Sequence, residues 1–154
     1  MTHSILDHAI AMEETLNKRF KKLKDGFTLK YASIWILTPT LEMKRVAKGM
    51  DVYDLLDSPK TLMAIENADS FTVITCGWAA PIETKKSKLK DIAPSHHPER
   101  RRVRLAVSVD YSGIATVLRF KDKPDETITD EGAARGSLAD AIKHLMDMKK
   151  KKYN

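Results

Sequence analysis

The feature that most constrains this chain is a pair of apolar runs joined by four turn residues. Arg102 to Val109 alternates Arg102, Arg104, Ala106 and Ser108 on one side with Val103, Leu105, Val107 and Val109 on the other. That two-residue period belongs to a half-buried strand. Asp110-Tyr111-Ser112-Gly113 supplies a turn, and Ile114 to Phe120 returns as the hairpin partner. Upstream, Ser95-His96-His97-Pro98-Glu99-Arg100-Arg101 runs into the first strand with no glycine between them, which puts the arginines on a rigid element.

The remaining segments are expected to cover this hairpin or extend it. Ile5, Leu6, Ala9, Ile10, Leu16, Phe20 and Leu23 recur at helical spacing, giving a long amphipathic first helix that Gly26 can end. Its lysines are read as a solvated face. Tyr31 to Leu37 reads as a short buried strand, closed by Pro39. Leu41 to Lys48 reads as a polar helix stopping at Gly49, and Ser58-Pro59 as the start of a short helix over Thr61 to Asn67. Ser70 to Trp78 is a second strand, Glu83 to Pro94 a lysine-rich loop, and Lys121 to Gly132 an exposed acidic loop. A last amphipathic helix runs from Ser137 to Met148. The expected fold is α+β, a mainly antiparallel sheet with a central hairpin and helices at both termini covering one face. Residues 1–148 form one domain and 149–154 a basic tail.

Composition narrows the function classes. With 154 residues, the chain has room for one real core. No apolar run approaches the ~18 residues of a membrane span, and Met1 to Asp7 has neither part of a secretory signal, so a cytoplasmic protein without a membrane partner is expected. Cys76 is the one cysteine, which excludes an internal disulfide and a multi-cysteine metal site. The net charge of +6 is local: Lys149 to Lys152 form one cluster, and residues 83–104 hold eight Lys or Arg against three acids. Everything else is net negative.

Chemistry has weak footholds here. Thiol catalysis would need Cys76 activated by a base, with His96 and His97 the candidates, and no motif fixes that pair. A metal on His96, His97 and Glu99 is disfavoured because adjacent residues of an extended segment point in opposite directions. His3 and His8 are five apart, off the spacing of a helix-face pair. The two loop histidines read more simply as hydrogen-bonding groups that position the start of the strand. No glycine-rich nucleotide motif occurs, and no cofactor is implied. Trp78 is read as a partly buried core residue, with an exposed anchor at the strand end as the alternative.

Gly77-Trp78-Ala79-Ala80-Pro81, His97-Pro98-Glu99-Arg100-Arg101-Arg102-Val103-Arg104, Leu118-Arg119-Phe120 and Gly136-Ser137-Leu138-Ala139-Asp140-Ala141 together resemble small uncharacterised proteins of actinobacteria and bacteriophages. The resemblance spans roughly residues 70 to 145. It implies a bacterial or phage origin and brings no reaction with it.

The concentrated positive charge therefore carries the leading expectation, a non-enzymatic interaction protein of phage accessory type that binds an acidic protein surface. Arg100, Arg101, Arg102 and Arg104 would supply forked donors, Lys85 and Lys86 added charge, and Trp78 an anchor. Two alternatives stay open. One is a nucleic-acid-binding module using the same loop and the tail, although no helix-turn-helix, zinc finger or RNA-recognition signature is present. The other is a small hydrolase or transferase built on Cys76 and a histidine.

Overall fold

The computed structural model describes residues 4–38, 40, 42–66, 68–79, 96–131, 138, 140–145 and 147. The expected loop lysines Lys85 and Lys86, the Ser137 cap and the 149–154 tail lie outside them.

Among the described residues, six strands form one sheet in the order β2-β1-β3-β4-β5-β6, with every neighbouring pair antiparallel. They are β1 (Ala32–Leu37), β2 (Met43–Gly49), β3 (Ser70–Ala79), β4 (Arg101–Asp110), β5 (Gly113–Phe120) and β6 (Thr127–Glu131). The β4–β5 hairpin is present as expected, closing through Asp110 Oδ1, which accepts the N–H groups of Ser112 at 2.7 Å and Gly113 at 3.1 Å. Three helices are α1 (Ile5–Phe20), α2 (Val52–Asp57) and α3 (Pro59–Ile65). Residues 138, 140–145 and 147 are also helical. The α+β class and the helices at both ends of the chain are thus as expected.

The helices, however, cover both faces. Ile5, Ala9, Met12 and Leu16 of α1 pack with Trp35, Ile74, Ala106, Ala115 and Val117. The opposite side chains of the same strands, among them Ile34, Phe71, Val73, Val107 and Val109, pack with Leu55, Leu56, Ile65, Ile142 and Leu145. Strand side chains alternate between faces, so a strand with both of its faces buried places a helix on each. For the same reason β4 is a buried central strand and not a half-buried one.

Two segments differ from their sequence reading. Residues 43–49 form an edge strand where a polar helix is expected. A turn sets the direction: Thr38 N–H donates to Glu42 O at 2.8 Å, and Thr38 Oγ1 accepts from Glu42 N–H at 3.0 Å. The register then shifts between Ile34 and Trp35, whose partners are Ala47 and Arg45, so β2 lacks a clean period of two. Likewise β6 lies in the stretch read as a loop. It is an edge strand with Thr127 to Asp130 all exposed, so no apolar face marks it. Gly26 does not end α1, which is capped at Lys21; its φ of +70° serves the turn that follows.

A buried ionic cluster fastens α1 to the sheet. Glu13, 3% exposed, sits within the apolar stripe of α1. Its carboxylate takes Arg119 of β5 in two bonds, Nε to Oε2 at 2.9 Å and Nη2 to Oε1 at 2.6 Å. Arg104 of β4 approaches the same carboxylate at 3.8 Å. Arg104 also donates from Nη1 to Phe27 O at 3.1 Å and from Nη2 to Asn17 Oδ1, and its guanidinium lies over the rings of Phe20 and Phe27. Burial lowers the Arg104 pKa, with Glu13 opposing that shift, while hydrogen bonding to Glu13 raises that of Arg119. Both guanidiniums keep their protons.

Removing the carboxylate would leave two buried cations uncompensated. Glu13→Ala is expected to lower the unfolding free energy by about 3–5 kcal/mol, read from urea denaturation. A loss below about 1 kcal/mol, the range of an exposed pair, would show that the cluster does not hold α1.

Candidate functional site

Of the four arginines expected to meet a partner, two are committed inside the protein's own architecture. Arg104 is 2% exposed and belongs to the Glu13 cluster, so it leaves the partner-facing set. Arg101 makes a two-point pair with Asp122, Nη2 to Oδ1 at 2.7 Å and Nε to Oδ2 at 3.1 Å. Its guanidinium also lies 3.8 Å from the Phe120 ring centroid. Hydrogen bonding within this pair raises the Arg101 pKa and lowers that of Asp122. Arg104 thus meets its acid on α1, and Arg101 meets its own on the segment after β5.

Arg100 and Arg102 remain at the surface, and the fold brings both to Trp78. Trp78 stands opposite Arg102 in the β3–β4 register, so backbone pairing alone places the two side chains on the same face. The Arg102 guanidinium lies 5.0 Å from the indole centroid and that of Arg100 at 4.9 Å, within cation–π range. Trp78 is 39% exposed. It is an exposed residue at the end of β3, and the core reading is corrected accordingly. Gly77 beside it permits close packing, since a Cβ there would lie 2.9 Å from Leu105 Cδ1.

His97 supports this corner from below. It is 1% exposed; its Nδ1 accepts the Glu99 N–H at 3.0 Å, and its carbonyl accepts the Arg100 N–H and Nη1, each at 3.2 Å. The buried imidazole thus shapes the turn that returns Arg100 toward Trp78. His96 is exposed. Residues 96–99 form a tight turn and not the extended segment expected, and the two histidines differ in burial through that turn.

Cys76 has other surroundings. It stands opposite Arg104 on the α1 side of the sheet, and its Sγ accepts the Leu29 N–H at 3.5 Å. A nucleophilic thiol requires a base at hydrogen-bond distance. His97 Nδ1 already serves as an acceptor within its own turn, and His96 faces solvent. Among the described residues, no group of three or more His, Cys, Asp or Glu could hold a metal ion. No described helix is long and apolar enough to cross a membrane.

A second surface feature was absent from the sequence reading. A groove of about 440 Å³ opens between α2, α3 and the C-terminal helical residues, lined by Tyr53, Leu56, Asp57, Leu62, His144 and Leu145. Its α2 wall was hidden because Val52 to Asp57 is only six residues long. The available signal was Asp51, whose carboxylate caps that helix by accepting the Tyr53 N–H at 2.9 Å and the Asp54 N–H at 3.1 Å.

No protein-family model, curated protein or solved structure matches this chain.

The support from His97 can be measured separately. In a Trp35→Phe background, where Trp78 is the sole indole, His97→Ala is expected to increase acrylamide quenching of Trp78. It should also cost about 1–3 kcal/mol of stability through the space left by the buried imidazole and the loss of its bond to the Glu99 N–H. Unchanged quenching would show that Arg100 reaches Trp78 without that turn.

Proposed function

We propose that this protein is a non-enzymatic binding module that recognises an acidic protein surface through Trp78, Arg100 and Arg102. The observation that carries the reading is the exposed indole flanked by two guanidiniums, that of Arg102 on the paired strand and that of Arg100 just before it. Tryptophan and arginine dominate the energetically decisive centres of protein interfaces. Guanidiniums offer carboxylates two parallel hydrogen bonds, which a lysine cannot. The β3–β4 ladder limits the conformational freedom lost on binding, so more of the contact energy survives as affinity. Lys85 and Lys86, close to Trp78 in sequence, would add charge around this centre. The resemblance of residues 70 to 145 to small actinobacterial and phage proteins fits an accessory protein of that kind, acting in the cytoplasm.

Nucleic acid is the second reading, favoured by the same indole, because an exposed ring beside cations also suits a stacked base and its phosphates. The two readings differ in salt dependence. Each phosphate neutralised releases condensed counterions, so nucleic-acid affinity falls steeply and linearly on a logarithmic salt scale.

Fluorescence polarisation with a labelled Glu- and Leu-containing peptide and with 20-nucleotide single- and double-stranded DNA separates them. The acidic peptide is expected to bind, and Arg100→Glu/Arg102→Glu to weaken it by at least about thirtyfold, the effect of losing a hot spot, with the melting temperature unchanged. Undiminished peptide binding by the doubly reversed variant would overturn the reading. Tighter, steeply salt-dependent binding to DNA would replace it with the second.

A further inference from the structure

The chain carries, away from the Trp78 corner, a surface of complementary character. Residues 51–69 hold five carboxylates against one lysine. Asp51, Asp54 and Asp57 are all exposed on or beside α2, next to the groove lined by Tyr53, Leu56, Leu62 and Leu145. Met50, Tyr53 and Met63 stand out from the same region at 78%, 43% and 73% exposure. Exposed methionines beside an apolar groove suit an adaptable protein contact, and carboxylates at its rim select a partner that presents cations. An indole between two arginines has that composition, and the groove volume accommodates its ring.

Trp78 cannot reach this groove within one molecule. Its side chain shares the sheet face of Ile74, under α1, whereas Leu56 and Leu145 of the groove belong to the core on the opposite face. The complement must come from another molecule.

We infer that this partner is a second copy of the chain: Trp78 of one molecule enters the groove between α2, α3 and the C-terminal helical residues of the next, and Arg100 and Arg102 pair with Asp54 and Asp57. The inference rests on the proposed binding role of the Trp78 corner and names its acidic surface. Donor and acceptor are different surfaces, so the contact is head-to-tail, and association continues into rings or short filaments instead of stopping at a twofold dimer.

Sedimentation velocity on the full chain between about 10 µM and 1 mM, the range of weak interfaces, reads this directly. The weight-average mass is expected to rise with concentration past that of a dimer. Trp78→Ala and Asp54→Lys/Asp57→Lys should each weaken association at least about tenfold. Asp57→Lys alone should weaken it too; Asp57 is exposed at the junction of α2 and α3, away from the packed core, so this variant keeps its fold. Combining Arg100→Glu/Arg102→Glu with Asp54→Lys/Asp57→Lys in one chain reverses both surfaces and should restore association. A wild-type chain monomeric throughout, or association indifferent to Asp57→Lys, would overturn the inference. If the monomeric chain still binds the acidic peptide through Arg100 and Arg102, the self-association fails and the binding site stands. If peptide binding is also absent, the binding site fails with it.

Discussion

Glu13 of α1, buried beneath the helix, meets Arg119 of β5 and Arg104 of β4 in one ionic contact. It joins α1 to two neighbouring strands at once, so the helix cannot shift along the sheet without breaking a charged bond in a dry environment. Burying ions carries a large desolvation cost, which only good geometry and further hydrogen bonds offset. Here Arg119 meets both carboxylate oxygens and the Pro124 carbonyl. Arg104, left with the longer contact, is compensated by Asn17, the Phe27 carbonyl and two aromatic rings. The one buried carboxylate is shared by two guanidiniums, and those groups accept the donors that Glu13 leaves over.

This arrangement also explains why the cationic strand does not act as one patch. β4 runs from surface to interior, and the alternation that puts Val103 on one face sends Arg102 and Arg104 to the other. Two residues along the strand separate a guanidinium beside the exposed Trp78 from one sealed under α1. Arg101, on the Val103 face, turns to Asp122 and Phe120 instead. A local excess of charge in the sequence is thus divided by strand geometry into structural and surface groups.

Much of the fold was legible because the central elements are strongly periodic. The β4–β5 hairpin, β1, β3, α1 and the Pro59 start of α3 all carry apolar spacing or turn chemistry that survives in the structure. The edges were not legible. The bulge in the β1–β2 pairing breaks the alternation of β2, and β6 exposes Thr127 to Asp130, so neither edge strand shows a hydrophobic face. Glu13 was missed as a core residue although its position was visible, since it falls one turn after Ala9 and three residues before Leu16 in the buried stripe. Of the candidate site, the pairing of Trp78 with Arg102 required the strand register, and the opposite environments of His96 and His97 required the tight turn at 96–99, which the extended reading of that segment passed over. The role of Arg104 could not be read locally, because its partners lie 77 and 87 residues away in sequence.

On the proposed function, Arg102 and Arg104, two residues apart, serve binding and folding respectively. The most direct measurement is the urea midpoint and the acidic-peptide affinity of Arg102→Gln and Arg104→Gln, determined on the same samples. Arg104→Gln should lower the midpoint while its native fraction binds the peptide as the wild type does, and Arg102→Gln should keep the midpoint and lose affinity. An Arg104→Gln protein that is fully stable yet defective in binding would contradict the account.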